Sequence, residues 1–260
     1  MLNLFKQFML ACLAALLLLS AGSALAADKT APVNLDPPPV IDPADIETDP
    51  EQLYDLTFPE EMPETARLFV LTARAQFERH PFELLPKNNE YTKWYYHDDR
   101  EIGWCSVFQI WCAYHSGIPL IRWNQEDTLT ENDCFSAMEG RVGNVYKAFE
   151  RRGRWLDGTE GAVPKPGYLI IYGVQGSTPY THIAIVESVI PLGDDLYELT
   201  TVEGNLGSRI RRMNYRYSAV PKKKYHNMFT IPESEIKREN CQTKLQADNW
   251  YVTGFCQTWK

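Results

Sequence analysis

The sequence lacks the residue spacings that are typical of metal sites. It contains five histidines and six cysteines in 260 residues, and none of them form a Cys-x-x-Cys or His-x-x-x-His pair. Because protein zinc sites are usually built from such closely spaced ligands, we expect no metal centre. The chain also has no internal repeat.

Long hydrophobic runs are nearly absent as well. One such run, Phe8–Leu19, follows Lys6 and precedes Ala24-Leu25-Ala26, which is the pattern of a secretory signal with an Ala-x-Ala cleavage site. The run is short for a membrane-spanning helix, and Cys12 lies inside it, where a lipoprotein cysteine would follow it. We therefore predict that residues 1–26 are a signal peptide and that the protein is exported, to the periplasm or to an extracellular, wall-associated location.

Basic residues are scarce in the segment that follows. Residues 27–63 hold eight of the seventeen prolines, and with Glu64 included they carry eleven acidic residues against one lysine. Such a segment buries too little apolar surface to offset the entropy of ordering, so we predict a disordered linker. It is interpreted as a solvated spacer, with an autoinhibitory segment over a basic groove as the alternative. Without the signal and this segment, residues 65–260 carry a net charge of about +1.

The remaining residues are enough for one domain, which would bury roughly 70% of its unfolded-chain surface. Apolar periodicity predicts helices over 63–79 and 131–152, the second weakened by two glycines. Strands are predicted at 168–174, 180–189, 197–202 and 209–217. Helices followed by an antiparallel meander give an α+β fold. We place a catalytic domain at 64–225, with its core at 86–218, and a C-terminal extension at 226–260.

A helix that begins near Gly103 and ends near Gly117 is the centre of this domain. Its apolar residues recur at helical spacing on one face: Trp104, Val107, Phe108, Trp111 and Cys112. Cys105 then lies in the first turn, where free backbone N–H groups and the helix dipole favour a thiolate. A thiolate in that position is a nucleophile with oxyanion-binding donors beside it.

A nucleophilic cysteine requires a base, and His182 at the start of a predicted strand is the candidate. The next strand ends in Glu203-Gly204-Asn205, so either Glu203 or Asn205 can orient the imidazole. Cysteine, histidine and then an acid or amide is the chain order of a papain-like thiol hydrolase. This chemistry needs no cofactor.

Four motifs in this order resemble the CHAP family, the cysteine, histidine-dependent amidohydrolases and peptidases. They are Asn89–Tyr95, Gly103–Phe108, His182–Glu187 and Val202–Asn205. The resemblance implies a papain-like fold of the NlpC/CHAP type, with N-terminal helices packed on a central antiparallel sheet. It also implies hydrolysis of amide bonds in bacterial peptidoglycan, at the stem peptide or the cross-bridge.

The resemblance assigns roles to individual residues. Cys105 would be the nucleophile, His182 the base, Glu203 the orienting acid, and Asn205 a further orienting or transition-state group. Tyr91 precedes the nucleophile by the distance at which such peptidases place a substrate-side tyrosine, and a ring packed on the helix is the alternative. Trp104 is also placed on the substrate side. The family's usual glycine and aspartate are replaced here by Ala184 and Tyr168.

Five cysteines remain after removal of the signal, an odd number that leaves one thiol unpaired and suits a reactive Cys105. Cys105 and Cys112 would be roughly 10 Å apart along a helix, too far for a disulfide. We predict a Cys241–Cys256 disulfide that holds the C-terminal extension. Cys112 and Cys134 either pair or are both buried as small apolar residues.

The concentrated positive charge lies between Arg209 and Lys224. Its members are Arg209, Arg211, Arg212, Arg216, Lys222, Lys223 and Lys224. A solvated strand edge is one interpretation, and attraction to an anionic wall polymer is the other. Export disfavours a nucleic-acid partner, and we expect a monomer.

The sequence therefore predicts an exported peptidoglycan hydrolase, either an N-acetylmuramoyl-L-alanine amidase or an endopeptidase. Both enzymes present an amide to the same thiolate, so the sequence does not separate them. Two alternatives keep the same fold: a non-catalytic wall-binding module, and an amidase of a small soluble peptide or polyamine conjugate.

Overall fold

The structure, a computed structural model, describes residues 56–221, 225–238, 240–243 and 249–260. The predicted signal peptide and the first part of the predicted linker, up to residue 55, lie outside the described residues. The helices are α1 (Glu64–Arg79), α2 (Glu90–Tyr96), α3 (Cys105–His115) and α4 (Val142–Glu150), with a 3-10 turn at Glu233–Glu235. In the part of the chain that the structure describes, no helix has the length and apolarity needed to cross a membrane.

The strands form one large sheet and one small one. They are β1 (Leu120–Ile121), β2 (Ser136–Ala137), β3 (Trp155–Asp157), β4 (Leu169–Val174), β5 (His182–Gly193), β6 (Leu196–Glu203), β7 (Arg211–Ser218), β8 (Met228–Thr230), β9 (Gln242–Thr243) and β10 (Trp250–Cys256). The large sheet has the order β3-β10-β4-β5-β6-β7-β8, with β9 parallel to β7 and every other pair antiparallel. The predicted α+β class and the meander from β4 to β7 are confirmed.

The large sheet curves until its two sides meet. The Asn227 side chain, just before β8, donates to the backbone oxygen of Val252 at 2.8 Å and accepts from the Val252 N–H at 3.0 Å. The rings of Tyr217 and Phe255 pack edge to face beside this contact, with centroids 5.2 Å apart. One side-chain amide thus bonds the β10 backbone as a neighbouring strand would, and the sheet encloses a buried interior.

The C-terminal residues belong to the catalytic domain, so the predicted extension at 226–260 is wrong. Strand β10 lies between β3 and β4 and pairs with both. Phe255, Cys256 and Trp259 are fully buried, and Thr258 donates to the backbone oxygen of Gly167 at 2.7 Å. A strand with ladder partners on both sides cannot leave without breaking the sheet.

The end of the predicted linker also folds with the domain. Leu56 and Met62 are buried, and the Met62 side chain packs so closely on Gly167 that a Cβ there would lie 2.8 Å from its Cε. Two buried apolar side chains order this short stretch despite its acidic neighbours. The domain therefore includes residues 56–63, which were predicted to be disordered.

The helix predicted over 131–152 forms only from Val142 to Glu150. In the preceding part, backbone N–H groups bond outside any helix: Phe135 donates to Thr258, Ser136 to Pro119, and Met138 to Ile121. These bonds place β2 beside β1 and fix the loop to the C-terminus. Tertiary pairing here outweighs helical periodicity.

Helix α3 forms as predicted and packs on β5, α1 and α2. Its buried face includes Trp104, Val107, Phe108 and Cys112. Gly117 has a φ of 72°, and the Ile118 N–H bonds back to the Ala113 oxygen, which ends the helix at the predicted glycine.

All five cysteines among the described residues are free thiols, so neither considered disulfide is formed. Cys256 lies in β10 between β3 and β4, whereas Cys241 directly precedes β9, which pairs with β7. The predicted Cys241–Cys256 disulfide fails because the two residues are placed in different parts of the sheet. Cys112 is a buried apolar residue of α3.

Candidate active site

Cys105 and His182 meet where the start of α3 abuts the start of β5. Cys105 is the first residue of α3 and is half-buried, while His182 is the first residue of β5 and is 6% exposed. The two side chains are hydrogen-bonded, and the backbone N–H groups of Ser106 and Ile183 also bond the sulfur. The helix end thus supplies one donor to the sulfur, as the position of Cys105 in the first turn predicts, and the backbone of β5 supplies the other.

Glu203 holds the other side of the imidazole. His182 Nε2 lies 2.9 Å from Glu203 Oε2, and the Glu203 side chain is fully buried. Strands β5 and β6 are adjacent, with Ile185 opposite Val202, which brings the first residue of one to the last residue of the other. Of the two oxygen-bearing candidates, Glu203 is the one that bonds the ring.

The second carboxylate oxygen of Glu203 is bonded by hydroxyl groups. Thr201 donates to Oε1 at 2.7 Å and Tyr172 donates to it at 3.2 Å. The hydroxyls of Tyr172 and Tyr215 lie 2.6 Å apart, and the Tyr172 ring stacks beside His182. These contacts fix the carboxylate, which in turn fixes the imidazole.

Sequence reasoning missed this supporting set. Thr201 lies two residues before Glu203 in a strand. Because side chains alternate between the two faces of a strand, this spacing predicts that both lie on the same face. Tyr172 and Tyr215 come from β4 and β7 and become neighbours of Glu203 only through the sheet order.

The electrostatics favour a thiolate and an imidazolium. Burial acts to raise the pKa of Cys105, but the hydrogen bond to His182, its positive charge and the two backbone donors outweigh it and lower the pKa below its usual value. Burial acts to lower the pKa of His182, but the contacts with Cys105 and Glu203 outweigh it and raise the pKa to about 9. The sulfur–imidazole pair is therefore stabilised in its charged form.

The other described thiols lack this environment. Burial raises the pKa of Cys112, Cys134, Cys241 and Cys256 above the usual thiol value. Cys105 is thus distinguished from the other described cysteines by its protonation as well as by its position.

The Asn205 side chain lies next to the turn that leads into α3. Its Nδ2 is 3.4 Å from the position that a Cβ on Gly103 would occupy, two residues before Cys105. Gly204 between Glu203 and Asn205 packs directly on α3, because a Cβ there would be 2.5 Å from the Cβ of Phe108. The side-chain-free residue lets the Glu-Gly-Asn turn approach the nucleophile helix.

The prediction that Tyr91 and Trp104 face the substrate is wrong. Both side chains are fully buried and stack on each other with centroids 5.7 Å apart. The Tyr91 hydroxyl donates to Gln76 Oε1 at 3.0 Å, and burial raises its pKa. The apolar faces of α2 and α3 join here, so both rings are core residues, which was the alternative interpretation for Tyr91.

Trp250 of β10 is an aromatic neighbour of the site that the sequence did not indicate. Its half-buried ring lies edge-on to His182, with centroids 5.9 Å apart, and its centroid is 6.0 Å from that of Tyr172. No local motif marks this residue, because the C-terminal strand reaches the histidine only through its pairing with β4.

The family relationship is supported by a direct match. Residues 95–205 match the family model of the CHAP domain. This segment is a CHAP domain. It includes Cys105, His182 and the Glu203–Asn205 turn, so the predicted family is confirmed. No curated protein and no solved structure matches the chain.

The CHAP domain indicates a hydrolase of the amidase or peptidase kind that acts on peptidoglycan. Among the described residues, no group of three or more His, Cys, Asp or Glu side chains is placed to hold a metal ion.

Proposed function

We propose that this protein is a cysteine hydrolase that cleaves amide or peptide bonds of bacterial peptidoglycan. The observation that carries the proposal is the chain of contacts from Cys105 through His182 to Glu203 inside a CHAP domain. A nucleophile, a base bonded to it and a carboxylate that orients the base are the parts of covalent acyl transfer. Their placement, with sulfur at a helix start and imidazole on the adjacent strand, supports a papain-like arrangement.

The first half-reaction forms a thioester. The Cys105 thiolate attacks the carbonyl carbon of the amide, and the carbonyl oxygen becomes an oxyanion. We assign the Cys105 backbone N–H and the Asn205 amide as the donors to this oxyanion. The His182 imidazolium then gives its proton to the amide nitrogen, the carbon–nitrogen bond breaks, and the amine leaves.

The second half-reaction restores the enzyme. Neutral His182 takes a proton from water, whose oxygen attacks the thioester carbon. The carbon–sulfur bond breaks, which regenerates the thiolate and the imidazolium and releases the product as a carboxylic acid. The acid then loses its remaining proton to solvent and becomes a carboxylate. Glu203 stays ionised throughout and holds the ring in the orientation that both proton transfers need.

The location follows from the proposed substrate. The amino-terminal pattern, with Lys6, the run Phe8–Leu19 and the Ala24-Leu25-Ala26 site, supports export to the periplasm or the cell surface. Peptidoglycan lies in those compartments.

Digestion of purified peptidoglycan tests the proposal. We expect the wild-type protein to release soluble fragments and Cys105→Ala to release none, with melting temperatures close to each other. Mass spectrometry assigns the bond: a new amino-terminal alanine identifies an amidase, and a new amine within a cross-bridge identifies an endopeptidase. Unchanged release by Cys105→Ala would refute the nucleophile. Wall binding without release by the wild type would establish the non-catalytic module.

A further inference from the structure

The arginines of the basic stretch near β7 differ in whether they contact a carboxylate. Arg212 is buried and its Nε lies 2.6 Å from Glu187 Oε2, while Arg216 Nη2 lies 2.9 Å from Glu235 Oε2. Both are thus neutralised by carboxylates. The lysines at 222–224, which belong to the same basic stretch of the sequence, lie outside the described residues.

Arg209 and Arg211 have no carboxylate partner in the described part of the chain. Arg209 donates to the backbone oxygens of Phe82, at 2.9 Å, and Gly207, at 3.4 Å. Arg211 donates to the backbone oxygen of Leu206 and to Gln242 Oε1, both at 2.9 Å. Neutral oxygens fix the direction of both guanidinium groups and leave their charges uncompensated.

These two arginines line a cavity of about 290 Å³. The other lining residues are Phe77, Phe82, Ile210 and Gln242. Phe82 is 53% exposed and forms an apolar wall at the surface, packed edge to face on Phe77. The volume lies just below the range of roughly 300–1,000 Å³ that is usual for ligand sites. The walls of the cavity are largely apolar and suit an aliphatic group, and the charges of the two arginines suit an anion attached to that group.

The cavity lies at the same end of the sheet as the proposed catalytic residues. Arg211 is directly opposite Glu203 in the β6–β7 pair, and paired residues have Cα atoms about 5 Å apart. The Leu206 oxygen that holds Arg211 directly follows Asn205 in the chain. A peptide substrate extends about 3.3 Å per residue, so a few residues cover the width of two or three strands.

We propose that the cavity between Phe82, Arg209 and Arg211 binds a free carboxylate of the peptide part of the substrate, remote from the bond that is cut. This inference rests on the proposed function. Guanidinium groups form bidentate hydrogen bonds with carboxylates, and the phenyl walls contact the aliphatic chain that carries the carboxylate. Specificity for peptides with free carboxylates over amidated ones follows, because an amide carries no charge to offset the two arginines.

Direct binding to the full chain tests the proposal with a readout separate from activity. The probes are a soluble disaccharide–tetrapeptide fragment of peptidoglycan and the same fragment with its carboxylates converted to amides, titrated calorimetrically into the Cys105→Ala protein. We expect the free-acid fragment to bind at least about tenfold more tightly. Adding Arg209→Gln or Arg211→Gln should abolish that preference, and Phe82→Ala should weaken both fragments while retaining it.

The matched control is Arg216→Gln, which removes a charge from the same stretch but lies in an ion pair outside the cavity. It should leave the carboxylate preference unchanged. Equal binding of the two fragments to the parent protein, or an equal effect of Arg209→Gln and Arg216→Gln, would overturn the proposal in favour of general electrostatic attraction. Circular dichroism of each variant reports its fold, and Arg209→Gln and Arg211→Gln provide two independent variants.

Two further measurements distinguish failure of the subsite from binding of an anionic polymer and from failure of the proposed function. Binding of a polyglycerol-phosphate chain that depends on Arg209, with no carboxylate preference in the fragments, overturns the subsite. If the wild-type protein hydrolyses free-acid and amidated peptidoglycan at equal rates, the subsite fails and the hydrolase stands. If it hydrolyses neither, the proposed function itself fails.

Discussion

At the scale of single residues, the proposed activity depends on the charge state of one pair, the Cys105 thiol and the His182 imidazole. Cys105 has backbone donors, His182 has a buried carboxylate, and each stabilises the charged form of the other. The lowered pKa keeps the thiol ionised at neutral pH, and the raised pKa keeps the imidazole protonated there. Thiolate reactivity and proton donation can therefore be tested separately by changing the pH.

We predict that iodoacetamide labels Cys105 rapidly and selectively at neutral pH. Replacing His182 by Ala removes the partner that lowers the thiol pKa, so labelling at pH 7 should slow about tenfold for each unit by which that pKa rises. Peptide mass spectrometry against time and pH measures the rates. Labelling of His182→Ala at the wild-type rate would show that the imidazole does not stabilise the thiolate.

The same pKa directions give a pH profile for hydrolysis. The imidazolium is lost as the pH rises through the His182 pKa of about 9, so amide hydrolysis should fall above that pH because the leaving amine receives no proton. Alkylation needs only the thiolate and should not fall there. Initial rates of both reactions between pH 5 and 10 check this, and a parallel decline of the two would contradict the assigned roles.

Glu203 and Asn205 are expected to act differently although only one residue separates them. Glu203→Gln removes the charge that supports the imidazolium, so both hydrolysis, by about 10²–10⁴-fold, and alkylation at pH 7 should fall. Asn205→Ala removes a donor to the oxyanion and should lower hydrolysis by about 10²–10³-fold with alkylation unchanged. Steady-state kinetics and labelling of the two variants test this, and loss of alkylation in Asn205→Ala would place that residue with the histidine.

At the scale of elements, the site depends on the close approach of the β6 end to α3. Gly204 touches Phe108, and that contact holds the Glu203–Asn205 turn against the helix. The C-terminal strand adds Trp250, whose ring lies edge-on to the imidazole. The site is thus assembled from a helix end and strands β5, β6 and β10, with supporting hydroxyl groups from β4 and β7.

We predict that Gly204→Ala lowers both stability and activity. A Cβ 2.5 Å from that of Phe108 forces the turn away from α3, which should cost about 1–3 kcal/mol in the free energy of unfolding and displace Glu203. Gly143→Ala is the control, because a Cβ there meets Tyr180 at 3.6 Å, an ordinary contact, and alanine favours the helix. Urea unfolding and hydrolysis rates distinguish the two, and equal effects would reject the packing argument.

At the scale of the whole molecule, a buried ion cluster joins the first helix to the sheet. Glu187 of β5 is fully buried, with one oxygen 3.0 Å from Arg74 of α1 and the other 2.6 Å from Arg212 of β7. Such a cluster stabilises the fold only if it is complete, since removing one partner leaves buried charges uncompensated.

We predict that Glu187→Gln destabilises the protein by about 3–5 kcal/mol in the free energy of unfolding. Glu235→Gln, which removes the carboxylate of the exposed Arg216 pair, should change it by no more than about 1 kcal/mol. Chemical unfolding followed by tryptophan fluorescence compares them. Similar small effects of both substitutions would mean that the Glu187 cluster contributes little to the fold.

The sequence by itself predicted the residues that carry chemistry and the elements around them. A cysteine in a first helical turn, a histidine at a strand start and an acid at the next strand end are local patterns, and α1, α3 and β4 to β7 formed where periodicity placed them. Local patterns suffice there because neighbouring strands in a meander are also neighbours in the chain.

Only the tertiary structure decided what comes from far along the chain. From the residues alone the sequence left open whether Glu203 or Asn205 orients the histidine, and the family resemblance favoured Glu203. It placed Tyr91 and Trp104 on the substrate side, with a packed ring as the alternative for Tyr91, and it separated residues 226–260 from the domain. In the structure, Glu203 bonds His182, the two aromatic rings are buried, and β10 lies between β3 and β4. The reason is physical: burial and strand pairing between distant segments depend on the summed contacts of the whole sheet, which no local period encodes.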